Sequence, residues 1–205
     1  METYLGTTLQ EDRLAPNQRT ETLRQPSPRG GLQRATPDGG TSRHALLHVT
    51  TRRATEFVDI TDRLAAIVAT CGLRARLINI QTLHTTTGIV VNEHEPLLLT
   101  DFESTLEQAA PAGSCYHHDD LSVRTVNLTP DERINGHAHC RALLLPVSAC
   151  LNVVNGRLLL GRWQRVFLVE LDGPRERMLS LMVFGEMVST ADLDLETSRS
   201  GGGGE

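Results

Sequence analysis

Between Arg76 and His84 apolar and polar residues alternate, so that Leu77, Asn79, Gln81 and Leu83 share one side of an extended chain and Ile78, Ile80, Thr82 and His84 the other. A helix cannot bury a two-residue period, and the aliphatic face predicts a central strand. Residues 44–51 and 56–60 predict strands before it, and 89–92 one just after. The C-terminal part predicts four more, at 147–153, 157–160, 164–171 and 177–184, with turns at Asn155-Gly156 and Asp172-Gly173-Pro174. Three helices are interspersed. One is capped by Thr61, carries the stripe Leu64, Ile67, Val68 and Cys71, and stops at Gly72. A second opens at Pro96 and stops before Pro111; a third begins near Asn135, carries His137, His139, Arg141 and Leu143 to Leu145, and ends at Pro146. No regular βαβ repeat emerges, so the expected fold is α+β, a compact single domain built on a largely antiparallel sheet or sandwich with a few helices.

The 205-residue chain has the length of one domain once its ends are set aside. Residues 1–42 are rich in Thr, Arg, Gln, Pro and Gly with no apolar period, and read as a disordered tail; 43–190 form the domain; 191–205 end in Gly-Gly-Gly-Gly-Glu and read as a flexible tail. A formal charge of -5 with only 20 Lys+Arg argues against a nucleic-acid partner and leaves small molecules as the expected ligands. No apolar run has the length of a membrane span and the start lacks a signal-peptide pattern, which predicts a cytoplasmic protein with no membrane role. Cys71, Cys115, Cys140 and Cys150 show no Cys-x-x-Cys pair and read as free thiols.

The stretch from Leu83 to Asp101 sets His, Thr, Asn and carboxylates into an apolar pattern, and the loop at 112–135 adds the run His117-His118-Asp119-Asp120. Three neutral imidazoles around an open position suit a zinc-like divalent ion, and His84, His118 and His139 are the candidates. A polar cleft of hydrogen-bonded histidines is the alternative reading. His137 and His139 lie about 200° apart on a helix, so only one can face a shared pocket. Glu93, Asn92 and Asp101 are candidate catalytic groups, able to fix substrate or act as general base, and Gln164 joins them beside the single tryptophan, Trp163. Asp101 also suits an early helical turn without any chemistry. Thr85, Thr86 and Thr87 offer hydroxyls and amides to anionic oxygens, while Arg141, Arg162, Arg175 and Arg177 are candidate phosphate clamps. Arg141, Arg162 and Thr85 lead that set.

Four ordered motifs, His84-Thr-Thr-Thr-Gly-Ile-Val-Val-Asn-Glu, the Tyr-x-His-Asp-Asp loop, Asn135-Gly-His-Ala-His and Asn155-Gly-Arg-Leu-Leu-Leu-Gly-Arg-Trp-Gln, resemble the YjbQ-type family associated with secondary thiamine-phosphate synthase activity. The resemblance runs from about His44 to Val188. It implies a homotrimer with a polar pocket near a subunit interface, in which His84, Asn92, Glu93, His118 and His139 match the family's polar positions. Arg162 stands where relatives carry a small hydroxyl residue, a change expected to alter anion preference at the pocket mouth. The implied reaction joins hydroxymethylpyrimidine diphosphate to thiazole phosphate and needs charge stabilisation more than a nucleophile. Imidazole ligands favour a zinc-like ion, whereas diphosphate departure favours oxygen-bound Mg²⁺. Hydrolysis of a phosphorylated metabolite, or metal and metabolite binding without turnover, are the other two readings.

Overall fold

The computed structural model describes Leu32–Gln33 and residues 40–187. Among the described residues nine strands form two antiparallel sheets. The larger runs β1-β2-β9-β4-β6-β7, from β1 (Leu32–Gln33), β2 (Gly40–Thr50), β4 (Leu73–Thr82), β6 (Ser148–Val154), β7 (Arg157–Leu158) and β9 (Glu176–Met187). The smaller runs β3-β8-β5, from β3 (Glu56–Asp59), β5 (Thr87–Glu93) and β8 (Gln164–Glu170). The alternating stretch is β4, held between β9 and β6, and its Ile78, Ile80 and Thr82 face is the buried one. β2 starts at Gly40, and β1 pairs Leu32 with Arg43 and Gln33 with Ser42, so part of the stretch expected as a tail extends the large sheet. The rest of both expected tails lies outside the described residues.

The two sheets bury one core between them. Leu47, Val49, Ile78, Ile80, Leu179 and Leu181 of the large sheet meet Ile89, Val166 and Leu168 of the small one, with Leu64 and Val68 of helix α1 (Thr61–Thr70) closing one side. β8 is buried on both faces: Phe167 and Val169 point away from the sandwich into a second cluster with Leu106 of α2 (Pro96–Ala109) and Ala138 of α3 (Gly136–Ala142). That explains its unbroken Val-Phe-Leu-Val run, in which each buried side chain contributes roughly 1.5–3 kcal/mol.

The helix ends depart from expectation where tertiary contacts compete. Thr61 does not cap α1; its Oγ1 accepts from the Val166 amide (2.8 Å), fastening the helix to β8, while Asp59 Oδ1 accepts from the Thr61 amide (2.9 Å). Gly72, at φ 69°, ends α1 in the left-handed conformation as expected. α2 is capped by Glu95, whose carboxylate accepts from the Leu97 and Leu98 amides. α3 ends at Ala142, so Leu143 to Leu145 lie beyond it as a turn. Asn155 (φ 50°) and Gly156 (φ 71°) make the expected tight hairpin turn between β6 and β7.

Candidate functional site

Antiparallel pairing brings three loops to one end of the sandwich. Thr87 begins β5 directly opposite Glu170, which ends β8, so the link at 83–86 and the link at 171–175 meet there. α3 packs over the same end, held by Asp119 Oδ1, which accepts from the Asn135 (3.0 Å) and Gly136 (2.8 Å) amides. Between them lies a cavity of about 270 Å³, lined by Leu83, His84, Thr85 and Thr86 from the first link, Asn135 and His139 from α3 and its approach, and Asp172, Arg175 and Arg177.

Its floor is a buried ion pair. Arg177 donates from Nε to Glu170 Oε2 (2.6 Å), and from Nη2 to Glu170 Oε1 (2.5 Å) and Thr86 Oγ1 (3.0 Å). Glu170 also accepts from Thr51 Oγ1 (2.9 Å) and from the Leu171 (2.9 Å) and Asp172 (2.8 Å) amides. Burial alone would raise the Glu170 carboxyl, yet the Arg177 hydrogen bond, the Asp172 amide and the guanidinium charge together hold it below its ordinary value. Above this floor Asp172 Oδ2 accepts from Asn135 Nδ2 (2.9 Å) and Arg175 Nη2 (2.7 Å).

Each imidazole has a different task. His84 Nε2 accepts from the Met178 amide (2.8 Å), which places its ring proton on Nδ1; burial first, and the Arg177 charge second, lower its pKa and keep the ring neutral. His118 Nε2 faces Arg124 Nη1 (3.2 Å); a guanidinium only donates, so this nitrogen too is an acceptor. His139 is lowered mainly by burial and next by His118, whose ring centroid lies 4.6 Å away. Among the described residues its ring nitrogens have no hydrogen-bond partner, which leaves His139 free to take or give a proton.

These lone pairs decide the fit of a metal. A ligating imidazole needs a bare nitrogen aimed at the ion and its proton on the other nitrogen. His84 and His118 have already directed Nε2 at donors, and no group of three or more His, Cys, Asp or Glu among the described residues is arranged to hold an ion. The three-histidine set does not fit a resident zinc-like metal; the hydrogen-bonded cleft is the reading that matches the geometry.

The other candidates scatter. His84, Thr85 and His139 line the cavity, His118 sits behind His139, and His137 turns toward Tyr116. Asn92, Glu93 and Gln164 lie at the opposite end of the small sheet, where Glu93 pairs with Gln164, six strand steps or ~20 Å from Thr87. Asp101 is exposed on α2. Arg162 stacks over exposed Trp163 at 4.6 Å, beside the Gln164 end and away from the cavity mouth. Arg141 is 3% exposed and ties α3 to α2 through Ala110 O (2.9 Å) and Glu107, at the edge of a separate polar cleft of about 450 Å³. That cleft contains no histidine, whereas His84 and His139 line the smaller cavity, which makes the smaller cavity the candidate site. Of the four arginines weighed as clamps, the cavity takes Arg175 and Arg177. Asn135, Asp172 and Glu170 were not singled out, because Asp172 reads as a turn residue and Glu170 as the end of an apolar strand; the signal for Asn135 was its place in the Asn-Gly-His-Ala-His motif.

The four cysteines form no disulfide, as expected. No described helix is long and apolar enough to cross a membrane. A family described as UPF0047 protein YjbQ-like matches residues 45–186, the span from β2 to β9. A UPF0047 protein of Methanothermobacter thermautotrophicus is 36% identical over 140 residues, covering 68% of this chain and 90% of that one. Another, from Archaeoglobus fulgidus, is 38% identical over 131 residues, or 64% of this chain and 93% of that one. Among solved structures, a YbjQ-like protein of unknown function from Sulfolobus solfataricus is 33% identical, with a TM-score of 0.64 over 72% of this chain and 99% of its own. Sequence, fold and the motifs around the cavity agree: the chain belongs to the YjbQ-like UPF0047 family.

Proposed function

We propose that the chain binds one small phosphorylated metabolite in the His84–His139 cavity and promotes departure of its phosphate or diphosphate. The observation that carries this is the convergence of Arg175, Arg177, Thr85, Thr86 and two neutral imidazoles on one cavity. In this reading phosphate oxygens accept from Arg175, the Thr85 and Thr86 hydroxyls and His84 Nδ1. With thiazole phosphate as acceptor this is the thiamine-phosphate synthase reaction: the pyrimidine C–O bond breaks, diphosphate leaves with the electron pair, and the thiazole nitrogen forms the new C–N bond. A volume of about 270 Å³ favours one substrate inside and the acceptor at the open side. The cavity's histidines do not fit a resident metal, and Mg²⁺ would arrive as the counterion of a diphosphate. His139, with both ring nitrogens free, supports a second reading, in which it accepts a proton from attacking water and the product is a hydrolysed phosphate.

The test is hydroxymethylpyrimidine diphosphate with and without thiazole phosphate, with wild type, Arg175→Ala and His139→Ala. Thiamine phosphate formed only with both substrates, and lost in Arg175→Ala by at least tenfold, supports the synthase reading. Phosphate release without thiazole that His139→Ala abolishes supports hydrolysis. Turnover unaffected by both substitutions overturns the site. We also propose a homotrimer, supported by Leu143, Leu144 and Val147, which expose 85%, 60% and 59% of their surface.

A further inference from the structure

Resting on the phosphate reading of the same cavity, we infer that Leu83 is a specificity residue of that site: it holds an apolar group that the ligand carries next to its phosphate, so that the substrate class is the phosphate ester of an apolar or aromatic alcohol. Of the described residues that line the cavity, Leu83 alone has an aliphatic side chain. It is 48% exposed, whereas Thr86 and Arg177 are 5% and 4% exposed, so the cavity has a polar floor and an apolar lip. The Leu83 amide donates to Met178 O (3.3 Å), continuing by one residue the pairing of Thr82 with Leu179, and the preceding Thr82 amide donates to Val147 O (2.9 Å). Sheet hydrogen bonds on both sides of β4 thus fix the lip, with half-buried Met178 as its cross-strand neighbour.

On this face of the extended chain the side chains run Leu77, Asn79, Gln81, Leu83. The two before Leu83 are amides, and apolarity returns at the position that meets the cavity. A leucine exposed on a plain surface carries no information about ligands. One set on the rim of a cavity whose other side chains are polar leaves apolar area in water that a ligand can cover. Thr86 and Arg177 lie at the floor, so a phosphate that enters points its ester carbon back toward the open side, where exposed Leu83 stands. A methylene placed on Leu83 gains what burial gives within a core, reduced because the lip is half open. A hydroxylated body set there gives up water and gains no partner from Leu83, which makes sugar and polyol phosphates the disfavoured class.

The experiment is calorimetric titration at pH 8, where a phosphate monoester is fully ionised, with methyl, ethyl and propyl phosphate and with 2-hydroxyethyl phosphate, which matches propyl phosphate in size but ends in a hydroxyl. In wild type each added methylene should tighten binding about twofold to threefold, below the roughly fourfold of a fully buried one. Propyl phosphate should bind about fivefold more tightly than its hydroxyl isostere. Leu83→Asn, similar in size, should flatten the series to below ~1.5-fold per step and close that gap, while Leu83→Met should keep both. Circular dichroism checks the fold of each variant; if Leu83→Asn is not folded, Leu83→Ala takes its place with the same expectation. A flat series in wild type, or steps that survive the substitution, overturn the inference, and binding of methyl phosphate then leaves the phosphate site standing. If no ester binds wild type, the phosphate reading itself falls, and the inference with it.

Discussion

Glu170 is fully buried and answers five donors, with Arg177 as its counter-charge. Replacing it by Gln strands a buried guanidinium, and the expected loss is ~3–5 kcal/mol in urea unfolding, against an ordinary surface value if the pair is dispensable. A second charge device lies at the other end of the sandwich. Asp59 accepts from Arg165 Nε (2.7 Å), the Thr61 amide (2.9 Å) and His94 Nδ1 (2.9 Å). Burial opposes ionisation there, but these bonds, Arg165 foremost, lower its pKa from 3.8 to about 2. Since the folded value is the lower one, its stabilisation is present above pH 3.8 and is lost as pH falls toward 2. Wild type should therefore lose about 1–2 kcal/mol more than Asp59→Asn between pH 5 and 2, solvent screening of the partly exposed pair reducing the full linkage value, measured by urea midpoints. His139, lowered below its ordinary 6.5, keeps its base form into mild acid, so the acid limb of turnover should lie below pH 6.5. A limb at or above that value would contradict the burial that sets it.

Between elements, Gly88 and Gly136 are among the glycines required by close approach. A Cβ at Gly88 in β5 would come within 2.6 Å of Leu145 Cβ, in the turn after α3. Gly88→Ala should cost ~1–3 kcal/mol in thermal unfolding, and adding Leu145→Ala should not restore it, because the offending Cβ remains. At Gly136 a Cβ would meet Tyr116 Cβ at 2.5 Å, so Gly136→Ala should displace the turn at His117–Asp119. The His118 ring resonances should then shift in NMR spectra; unchanged resonances would show that the turn is not locked to α3. Neither contact has a sequence signal beyond the glycine itself, since the partners lie 57 and 20 positions away.

At the scale of the molecule, polar candidates gather at two ends of one sandwich, His84 and His139 at one, Glu93 and Gln164 at the other. The proposed trimer predicts a light-scattering mass of three times 22.5 kDa. A Leu143→Glu, Leu144→Glu double variant should reduce it to one chain without loss of secondary structure, because both side chains are already exposed within the subunit. A monomeric wild type would leave those leucines without a partner and remove the proposal.

Periodicity determined the strands other than β1 and the start of β2, most of the helices and the α+β class, because alternation and apolar stripes are local consequences of burying one face. It also marked His84, Thr85 and His139, since polar groups beside apolar strands stand out in the chain. What only tertiary structure decided was which of the marked residues meet. A seven-residue strand separates Thr87 from Glu93, so neighbours in sequence face opposite ends, while antiparallel pairing sets Thr87 against Glu170, 83 residues on. The direction of each lone pair was likewise beyond the sequence: the Met178 amide on His84 and the Arg124 guanidinium on His118 turn would-be metal ligands into hydrogen-bonded imidazoles, through contacts that exist only once the chain is folded.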